Sequence, residues 1–252
     1  MRLDKYLADH GYGTRSMVKK IIASGRVSIN GELSRDGATH IPDKAVIKVS
    51  GSGRLDEKAG EQRYLADEDT FSYFMLNKPA GTVTANTDKS DRTVMDFFRD
   101  EHIKGLNPVG RLDKDTEGLL LITDDGELGH FLTSPKRNVP KKYYAELNGI
   151  PDQAGIERLK SGVSFKDFTA RPAVLEIISK DEEQNTSTVF ITVTEGRFHE
   201  VKRLALAIGC EVRYLKRVDF AGLKLDEDLD AGQYRRLTDT EIEMLRAQKT
   251  GK

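Results

Sequence analysis

The sequence predicts an α+β protein in which a small module of helices and strands precedes a larger domain with a mixed or antiparallel sheet. Two observations lead to this fold class. Short apolar or alternating runs, typical of strands, outnumber helical stripes and do not alternate regularly with helices as in a parallel α/β fold. A stretch rich in glycine and charged residues divides the chain into residues 1–50 and 68–250, with 51–67 as a linker.

Residues 1–50 are predicted to form two helices followed by short strands. The alternating run 26–29 predicts a strand, and Asn30-Gly31 after it is a strong signal for a hairpin turn. Another short strand is predicted at residues 45–49. Helical spacing places apolar side chains on one face of each helix: Leu3, Tyr6 and Leu7 in the first, and Met17, Val18, Ile21 and Ile22 in the second.

Residues 68–250 are predicted to form the larger sheet and three helices. Strands are expected at residues 73–76, 119–123, 143–147 and 188–193. Thr238 and Glu241 have the spacing of a capping box, so the last helix is predicted to begin there. The other two helices are indicated by their apolar positions: Leu128, Phe131 and Leu132 in one, and Val201, Leu204, Ala205 and Ile208 in the other.

The composition argues against several classes of protein. The chain has 252 residues, a net charge of −1 and a single cysteine, Cys210, so neither a disulfide framework nor a cysteine-rich zinc site is predicted. The histidines show no i, i+4 pairing, and no metal site is expected. No apolar stretch approaches the roughly 20 residues that cross a bilayer, and the N-terminus does not resemble a signal peptide. We therefore expect a cytoplasmic protein with no membrane partner.

The most informative motif is the polar turn 110–118, which runs directly into the apolar strand 119–123. A loop held on a rigid strand keeps its side chains in the fixed geometry that catalysis requires. Arg-Leu-Asp itself is not specific, because it occurs at residues 2–4, 54–56 and 111–113. The third copy is distinguished by the buried strand that follows it. Taken alone, the motif also fits a charged surface loop before a strand.

In this wider context the chain resembles the pseudouridine synthases that modify ribosomal RNA, in particular the small-subunit type with an N-terminal S4 RNA-binding module. Glu200 departs from that family, which usually has Gln there, and we expect the change to tune a loop contact. Six segments carry the resemblance: residues 1–5 and 26–31 for the S4 module, 73–79 for the opening strand, 110–118 for the catalytic loop, 141–143 for the active-site tyrosine, and 195–203 for a late loop and helix.

The resemblance implies roles for four residues of the larger domain. Asp113 is the catalytic carboxylate, Tyr143 stacks on the target base and assists proton transfer at C5, and Lys202 pairs with Asp113. Arg111 contacts the RNA backbone or supports the flipped base. The reaction breaks a C–N glycosidic bond and forms a C–C bond without a redox step, metal ion or ATP, so no cofactor is expected. Whether Asp113 first attacks C6 of the base, C1′ of the ribose or the 2′ proton stays open.

The small module is expected to hold the RNA. Arg15, Lys19 and Lys20 are near neighbours on the second helix and, with Arg26, can meet phosphates together. The pattern alone fits a solvated helix equally well, and the resemblance to the S4 module favours RNA contact. The expected partner is ribosomal RNA, as small-subunit RNA or an assembly particle, and the protein is expected to act as a monomer.

Three alternatives remain. A synthase for large-subunit RNA would share the same motifs, although residues 73–79 and 171–176 resemble the small-subunit type somewhat better. A non-catalytic ribosome-assembly factor would keep the basic module but would not need Asp113, Tyr143 and Lys202 together. A glycosidase could use Asp113 and Asp115 as paired carboxylates, but it would not need an S4-like module.

Overall fold

The computed structural model describes residues 1–9, 12, 15–42, 45–49, 62–65, 71–101, 103 and 105–250. The chain divides into two compact units, Met1–Phe71 and Ser72–Lys252, each with its own buried core. Within the described residues, every helix is too short or too polar to cross a membrane.

The first unit contains two helices and, among its described residues, a four-stranded sheet. The strands are antiparallel and lie in the order β2-β1-β3-β4. The predicted order of two helices followed by strands is confirmed. Its elements are α1 (Leu3–Asp9), α2 (Arg15–Ala23), β1 (Val27–Ile29), β2 (Glu32–Ser34), β3 (Val46–Val49) and β4 (Gln62–Leu65).

The two helices pack through most of the apolar positions that their spacing predicts, but Met17 of α2 is 52% exposed and the prediction that it lies on the buried face is wrong. Leu3 and Leu7 of α1 and Val18 and Ile22 of α2 have no solvent-exposed surface. All four belong to the core of the first unit, where Ile47 of β3 joins them. Burial of these side chains is the main favourable term that holds the helices on the sheet.

A tight turn of Asn30 and Gly31 connects β1 to β2, with φ angles of 51° and 91°. A type I′ turn needs positive φ at both positions, and Asn and Gly adopt it at the lowest cost. The Asn30 side chain also accepts a hydrogen bond from the backbone N–H of Val46 at 2.7 Å, which ties the turn to β3. The predicted hairpin is confirmed.

Part of the expected linker differs from the prediction. Gln62–Leu65 form β4, which pairs with β3 and extends the sheet of the first unit. The sequence Gln-Arg-Tyr-Leu lacks the apolar and polar alternation of a half-buried strand, so its periodicity does not reveal it. Residues 51–61 and 66–67 of the expected linker lie outside the described residues.

The second unit carries most of the strands. Its first half consists of β5 (Tyr73–Lys78), a 3-10 helix (Val94–Glu101), β6 (Asn107–Pro108), β7 (Glu117–Thr123), α3 (Gly126–Thr133), a short 3-10 helix (Pro135–Arg137) and β8 (Lys141–Asn148). Its second half consists of α4 (Gln153–Ser161), β9 (Val163–Ser164), β10 (Thr169–Ala170), β11 (Val174–Asp181), β12 (Thr186–Val193), α5 (Glu200–Ala207), β13 (Glu211–Phe220), β14 (Leu223–Lys224), β15 (Tyr234–Arg236) and α6 (Asp239–Thr250).

Nine of these strands form one mixed sheet within the described part of the chain. Seven lie in the order β11-β12-β8-β13-β7-β5-β15, while β14 pairs with β13 and β6 with β7. The pair β13 and β7 is parallel, and the neighbouring pairs β8–β13 and β5–β7 are antiparallel. The predicted α+β class with a mixed sheet is confirmed. The four predicted strands correspond to β5, β7, β8 and β12, each somewhat longer than predicted.

The central strand β13 is not predicted by the sequence. Its ten residues, Glu211–Phe220, mix charged and apolar side chains without clear alternation. The strand lies between β8 and β7 in the sheet, and this position buries even Arg217, which is 1% exposed. The sequence does not predict α4 either.

The three predicted helices of this unit correspond to α3, α5 and α6. Asp125 caps α3, since its carboxylate accepts a hydrogen bond from the backbone N–H of Leu128 at 2.9 Å. Thr238 and Glu241 form the predicted capping box of α6, in which the backbone N–H of Thr238 donates to the Glu241 carboxylate at 2.8 Å. Helix α5 begins directly after a loop and carries Lys202 in its first turn.

Candidate active site

A pocket in the second unit gathers residues from distant parts of the chain. It is lined by the loop between β6 and β7, by side chains of the central strands and by the loop that leads into α5. The four residues predicted for the larger domain all line it: Arg111, Asp113, Tyr143 and Lys202.

The loop that carries Asp113 is fixed by buried hydrogen bonds on both sides of Leu112. The Thr84 hydroxyl donates to the carbonyl of Leu112 at 2.8 Å and accepts from the backbone N–H of Leu112 at 3.2 Å. The backbone N–H of Thr116 donates to the carbonyl of Asp113 at 3.1 Å, which closes a turn. Because its backbone groups are paired in this way, the loop presents Asp113 in one defined position.

Lys78 of β5 fixes the same loop through hydrogen bonds to its backbone carbonyls. Its side chain is completely buried, and its ammonium group donates to the carbonyls of Thr116 at 2.8 Å and Lys114 at 3.3 Å. Burial lowers the pKa of Lys78 to about 8, against the attraction of Asp115, Glu117 and Asp113. Lys78 therefore lies beneath the acidic loop as both a hydrogen-bond donor and a neighbouring positive charge.

Lys202 lies between two carboxylates. Its ammonium nitrogen is 3.5 Å from an oxygen of Asp113, which is the predicted pair. The same nitrogen is closer to Asp115, at 2.6 and 2.8 Å from its two oxygens, and this hydrogen bond lowers the pKa of Asp115. From the sequence, Asp115 is expected to act only in the glycosidase alternative, and no motif places it beside Lys202. In the structure, Asp115 is the nearer partner of the lysine.

Tyr143 forms part of the pocket wall, and Arg217 lies directly opposite it on β13. Burial raises the pKa of Tyr143, and the positive charge of the neighbouring Arg217 partly opposes this rise. The Arg217 Nε donates to the carbonyl of Leu119 at 2.7 Å. Its Nη2 has no hydrogen-bond partner among the described residues. No sequence signal marks Arg217, because only the pairing of β8 with β13 brings it to Tyr143.

Gly118 allows the loop to enter β7 close against β13. Its φ angle is +100°, and an added Cβ would lie 2.3 Å from the carbonyl oxygen and 2.8 Å from the nitrogen of Arg217. Only a residue without a Cβ fits there, because both the backbone angle and the available space exclude a side chain. Gly118 is thus required for the contact between the loop and the strand of Arg217.

Two buried glutamates support the loop before α5. Glu195 and Glu200 are each 4% exposed and hydrogen-bonded to one another. Burial raises the pKa of Glu200 to about 7, and the neighbouring Glu195 adds to this. Burial alone would also raise the pKa of Glu195, but hydrogen bonds from the backbone N–H of Arg171 and from Glu200, with the nearby Arg197, lower it overall.

The unusual Glu200 has a structural explanation in this pair. Its carboxyl accepts a hydrogen bond from the backbone N–H of Arg197 at 3.1 Å. A protonated Glu200 can also donate to Glu195, so it provides one donor and one acceptor, as the amide of a Gln would. Lys141 lies nearby, and burial lowers its pKa to about 8.

The predicted RNA-binding residues of the first unit lie on or next to α2. Arg15, Lys19 and Lys20 are exposed on this helix, and Arg26 is partly buried just before β1. The Asp4 of the first Arg-Leu-Asp copy is also in this unit, but it is 2% exposed and paired with Arg2 at 2.8 Å, which makes it structural. The copy at 54–56 lies outside the described residues.

Metal ligands are not clustered in the part of the chain that the structure describes. No group of three or more His, Cys, Asp or Glu side chains there could hold a metal ion.

Two family models match the chain. A model described as RNA pseudouridylate synthase matches residues 72–207, more than half of the chain, and an S4 domain model matches residues 1–47. Together they define an RNA-modifying isomerase that carries its own RNA-binding domain. The chain belongs to the RNA pseudouridylate synthase family.

Curated relatives extend over nearly the whole chain. An "Uncharacterized RNA pseudouridine synthase YtzG" of Bacillus subtilis (strain 168) is 40% identical and covers 97% of this chain and 98% of its own length. The "Ribosomal large subunit pseudouridine synthase B" of the same organism is 35% identical, with coverages of 98% and 96%. The "Ribosomal small subunit pseudouridine synthase A" of Escherichia coli (strain K12) is 37% identical, with coverages of 96% and 98%.

A solved structure agrees with these relatives. It is described as "Crystal structure of pseudouridylate synthase", is 35% identical in sequence and has a TM-score of 0.64. The match covers 97% of this chain and 99% of that chain. The resemblance noted from the sequence motifs is therefore confirmed at the level of the family.

Proposed function

We propose that this protein isomerises a specific uridine of small-subunit ribosomal RNA, with Asp113 as the catalytic carboxylate. The position of Asp113 carries the proposal. Its side chain is 30% exposed in the pocket, and its carboxylate lies 3.5 Å from the ammonium group of Lys202. Tyr143 lines the same pocket. A carboxylate beside a cation, near an aromatic ring, suits attack on a flipped base or its ribose.

The choice of ribosomal subunit rests on the sequence motifs. Relatives named for the small and the large subunit are 37% and 35% identical to this chain, so identity alone does not separate them. Residues 73–79 and 171–176 favour the small-subunit type. A large-subunit synthase is the second candidate, because its named relative matches over an equal length.

Asp113 has three available routes to the same product. It can add to C6 of the uracil, add to C1′ as the glycosidic bond breaks, or take the 2′ proton to give a glycal. In each route the bond between N1 of the base and C1′ of the ribose breaks, the base rotates, C5 bonds to C1′, and C5 then loses its proton. The bond from Asp113 to C6 or C1′ breaks before the product leaves, and in the glycal route the 2′ proton returns to C2′. In each route Lys202 places a positive charge 3.5 Å from the reacting Asp113 carboxylate.

Tyr143 fits a stacking role. A base must leave its helix to reach the pocket, at a cost of a few kcal/mol, and an aromatic face recovers roughly 1–3 kcal/mol per base. Burial raises the pKa of Tyr143, so its hydroxyl is protonated at neutral pH. The Tyr143 hydroxyl therefore assists the transfer of the C5 proton as a hydrogen-bonding partner and is not the base that accepts this proton.

The remaining parts of the proposal concern RNA binding and the form of the protein. Arg111 at the pocket is proposed to contact the RNA backbone or support the flipped base. The basic residues of α2, together with Arg26, are proposed to hold phosphates. Residues 1–50 and 68–250 are proposed as the two domains, supported by the family matches at 1–47 and 72–207. We further propose that the protein acts as a monomer in the cytoplasm.

The proposal is tested by mapping pseudouridine in both ribosomal RNAs with carbodiimide and primer extension. Four strains are compared: one that lacks the protein, and three that express the intact protein, Asp113→Asn or Asp91→Asn. Asp91→Asn is the matched control, since it makes the same chemical change at an exposed carboxylate, which is paired with Lys114 at 2.7 Å. We expect one small-subunit site to disappear in the deletion strain, and to return with the intact protein and Asp91→Asn but not with Asp113→Asn.

Other outcomes separate the alternatives. A lost site in the large-subunit RNA would replace the small-subunit proposal with its rival. An unchanged map in both RNAs would contradict ribosomal RNA as the substrate and would support a non-catalytic assembly factor. Restoration by Asp113→Asn would remove the proposed role of that carboxylate.

A further inference from the structure

An exposed aromatic ring lies at the rim of the pocket. Phe198 is 75% exposed, the largest exposure of any large apolar side chain among the described residues. Its ring stacks on that of His199, with 3.8 Å between the centroids and 17° between the planes. Neither residue is assigned a role by the sequence motifs, and a phenylalanine this exposed contributes little to the core.

The stacked pair leads directly to the catalytic carboxylate. His199 lines the pocket, and its Nε2 lies 3.7 Å from an oxygen of Asp113. The two rings therefore form a stack that starts beside Asp113 with His199 and ends at the exposed ring of Phe198.

The backbone adopts an uncommon conformation at the stacked pair. His199 has φ 51° and ψ 31°, in the left-handed region. In an extended chain the side chains of neighbouring residues point in opposite directions, so the stacking of Phe198 on His199 depends on this turn of the backbone. His199 is also the N-cap of α5, but its side chain makes no capping hydrogen bond. Asn or Asp would suit both demands better. His199 makes no capping hydrogen bond with its side chain, and its ring instead stacks on Phe198.

The residues around the pair are basic and suit a polyanion. Arg197 precedes it and is exposed, with its Nε 3.4 Å from Glu195. Lys202 and Arg203 follow in the first turn of α5 and are ion-paired with Asp115 and Asp167, so a phosphate would have to share or replace these carboxylates. Arg111 lies across the pocket and is exposed. An aromatic surface bordered by cations is the usual means of binding single-stranded nucleic acid, because bases stack on the rings while phosphates meet the charges.

We infer that Phe198, supported by His199, forms a platform on which the base next to the target uridine stacks. When the uridine turns into the pocket, the adjacent base loses a stacking partner, and the exposed ring of Phe198 replaces it. The inference rests on the proposed function only in taking the Asp113 pocket as the site of the target uridine. Phe198 is a positioning residue, and the chemistry stays with the pocket.

The first experiment compares single-turnover pseudouridine formation by purified full-length variants. The substrate is an RNA transcript that spans the uridine identified by mapping. Phe198→Ala is expected to lower kcat/KM by about tenfold, the loss typical of one stacked base. Phe198→Tyr is expected to retain activity because it keeps the ring. Leu206→Ala is the matched control, since Leu206 is a 63% exposed apolar residue near the end of helix α5, which begins two residues after Phe198.

The second experiment identifies what the ring contacts. An abasic nucleotide is placed on the 5′ or the 3′ side of the target. At one of these positions, loss of the base should slow the wild-type protein by the same factor as Phe198→Ala and should not slow Phe198→Ala further. The inference would be overturned if Phe198→Ala had the activity of the wild type. It would also be overturned if Phe198→Ala reduced the rate by the same factor on intact RNA and on both abasic RNAs.

A binding measurement separates this inference from the proposed function. An oligonucleotide with 2-aminopurine beside its single uridine is titrated with the Asp113→Asn protein. The measurement reports binding and does not depend on turnover. Stacking predicts quenched fluorescence that is lost with Asp113→Asn/Phe198→Ala and is absent when 2-aminopurine lies four nucleotides away. Absence of pseudouridine formation with quenching intact would contradict only the proposed function. Turnover without Phe198-dependent quenching would contradict only the stacking platform.

Discussion

Replacing Glu200 by Gln should remove a pH dependence of stability that this buried carboxyl creates. The pKa of Glu200 is raised from 4.5 to about 7 by burial and by Glu195, while Lys141 partly opposes the shift. Because the folded pKa is the higher one, the contribution of Glu200 to stability is complete below pH 4.5 and is lost as the pH rises through about 7. The wild-type protein should therefore lose stability over this interval, and Glu200→Gln should not.

The magnitude follows from the size of the pKa shift. One pKa unit corresponds to about 1.4 kcal/mol, so the difference between 4.5 and about 7 is worth about 3–4 kcal/mol at most. Lys141 and Glu195 adjust their own charges as Glu200 ionises, which reduces the effect. We expect the free energy of unfolding of Glu200→Gln, relative to the wild type, to increase by about 1–2 kcal/mol between pH 4.5 and pH 8.

The assay is urea denaturation of both proteins at several pH values across this interval, followed by circular dichroism. Glu182→Gln is the control, since Glu182 is an exposed carboxylate paired only with Lys180, and it should follow the wild type. Parallel pH curves for the wild type and Glu200→Gln would refute the reasoning, because the glutamate would then be ionised in the folded protein without cost.

Three further predictions concern the loop, a helix cap and the basic module. Gly118→Ala should lower the free energy of unfolding by about 3 kcal/mol or more, measured by denaturation, because the added Cβ meets the backbone of Arg217. Asp125→Ala should lower the free energy of unfolding by about 1–3 kcal/mol in the same assay, because it removes both the cap of α3 and the acceptor of the Tyr73 hydroxyl. An unchanged denaturation midpoint would contradict this prediction. Changing Arg15, Lys19 and Lys20 together to Gln should reduce the slope of log K against log salt for RNA binding by about two, and an unchanged slope would exclude α2 from phosphate contact.

The structure confirms features that depend on only a few neighbouring residues. Asn30-Gly31 forms its turn because positive φ is a property of those two residues, and Thr238 caps α6 because its partner is three positions away. The Asp113 loop could be recognised for the same reason, since its polar turn and the following apolar strand adjoin in sequence. Its proposed role in catalysis still awaits the mapping experiment.

Other features arise only when distant strands pair. Arg217 meets Tyr143 because of the register between β13 and β8, and the mixed composition of β13 gives no local sign of a central strand. The short strand β4 was missed for the same reason, because its pairing with β3 and not its composition makes it a strand.

The sequence by itself determined the fold class, most of the helices and the strands β5, β7, β8 and β12, because periodicity and turn chemistry act over a few residues. The segments that carry the proposed catalytic residues were marked by their resemblance to the pseudouridine synthases. Only the tertiary structure decided that Lys202 lies between Asp113 and Asp115, that Glu200 shares a buried hydrogen bond with Glu195, and that Phe198 stacks on His199 at the pocket rim. Burial, charge interactions and pKa depend on which groups lie close together in space, and folding brings together residues that are far apart in the chain.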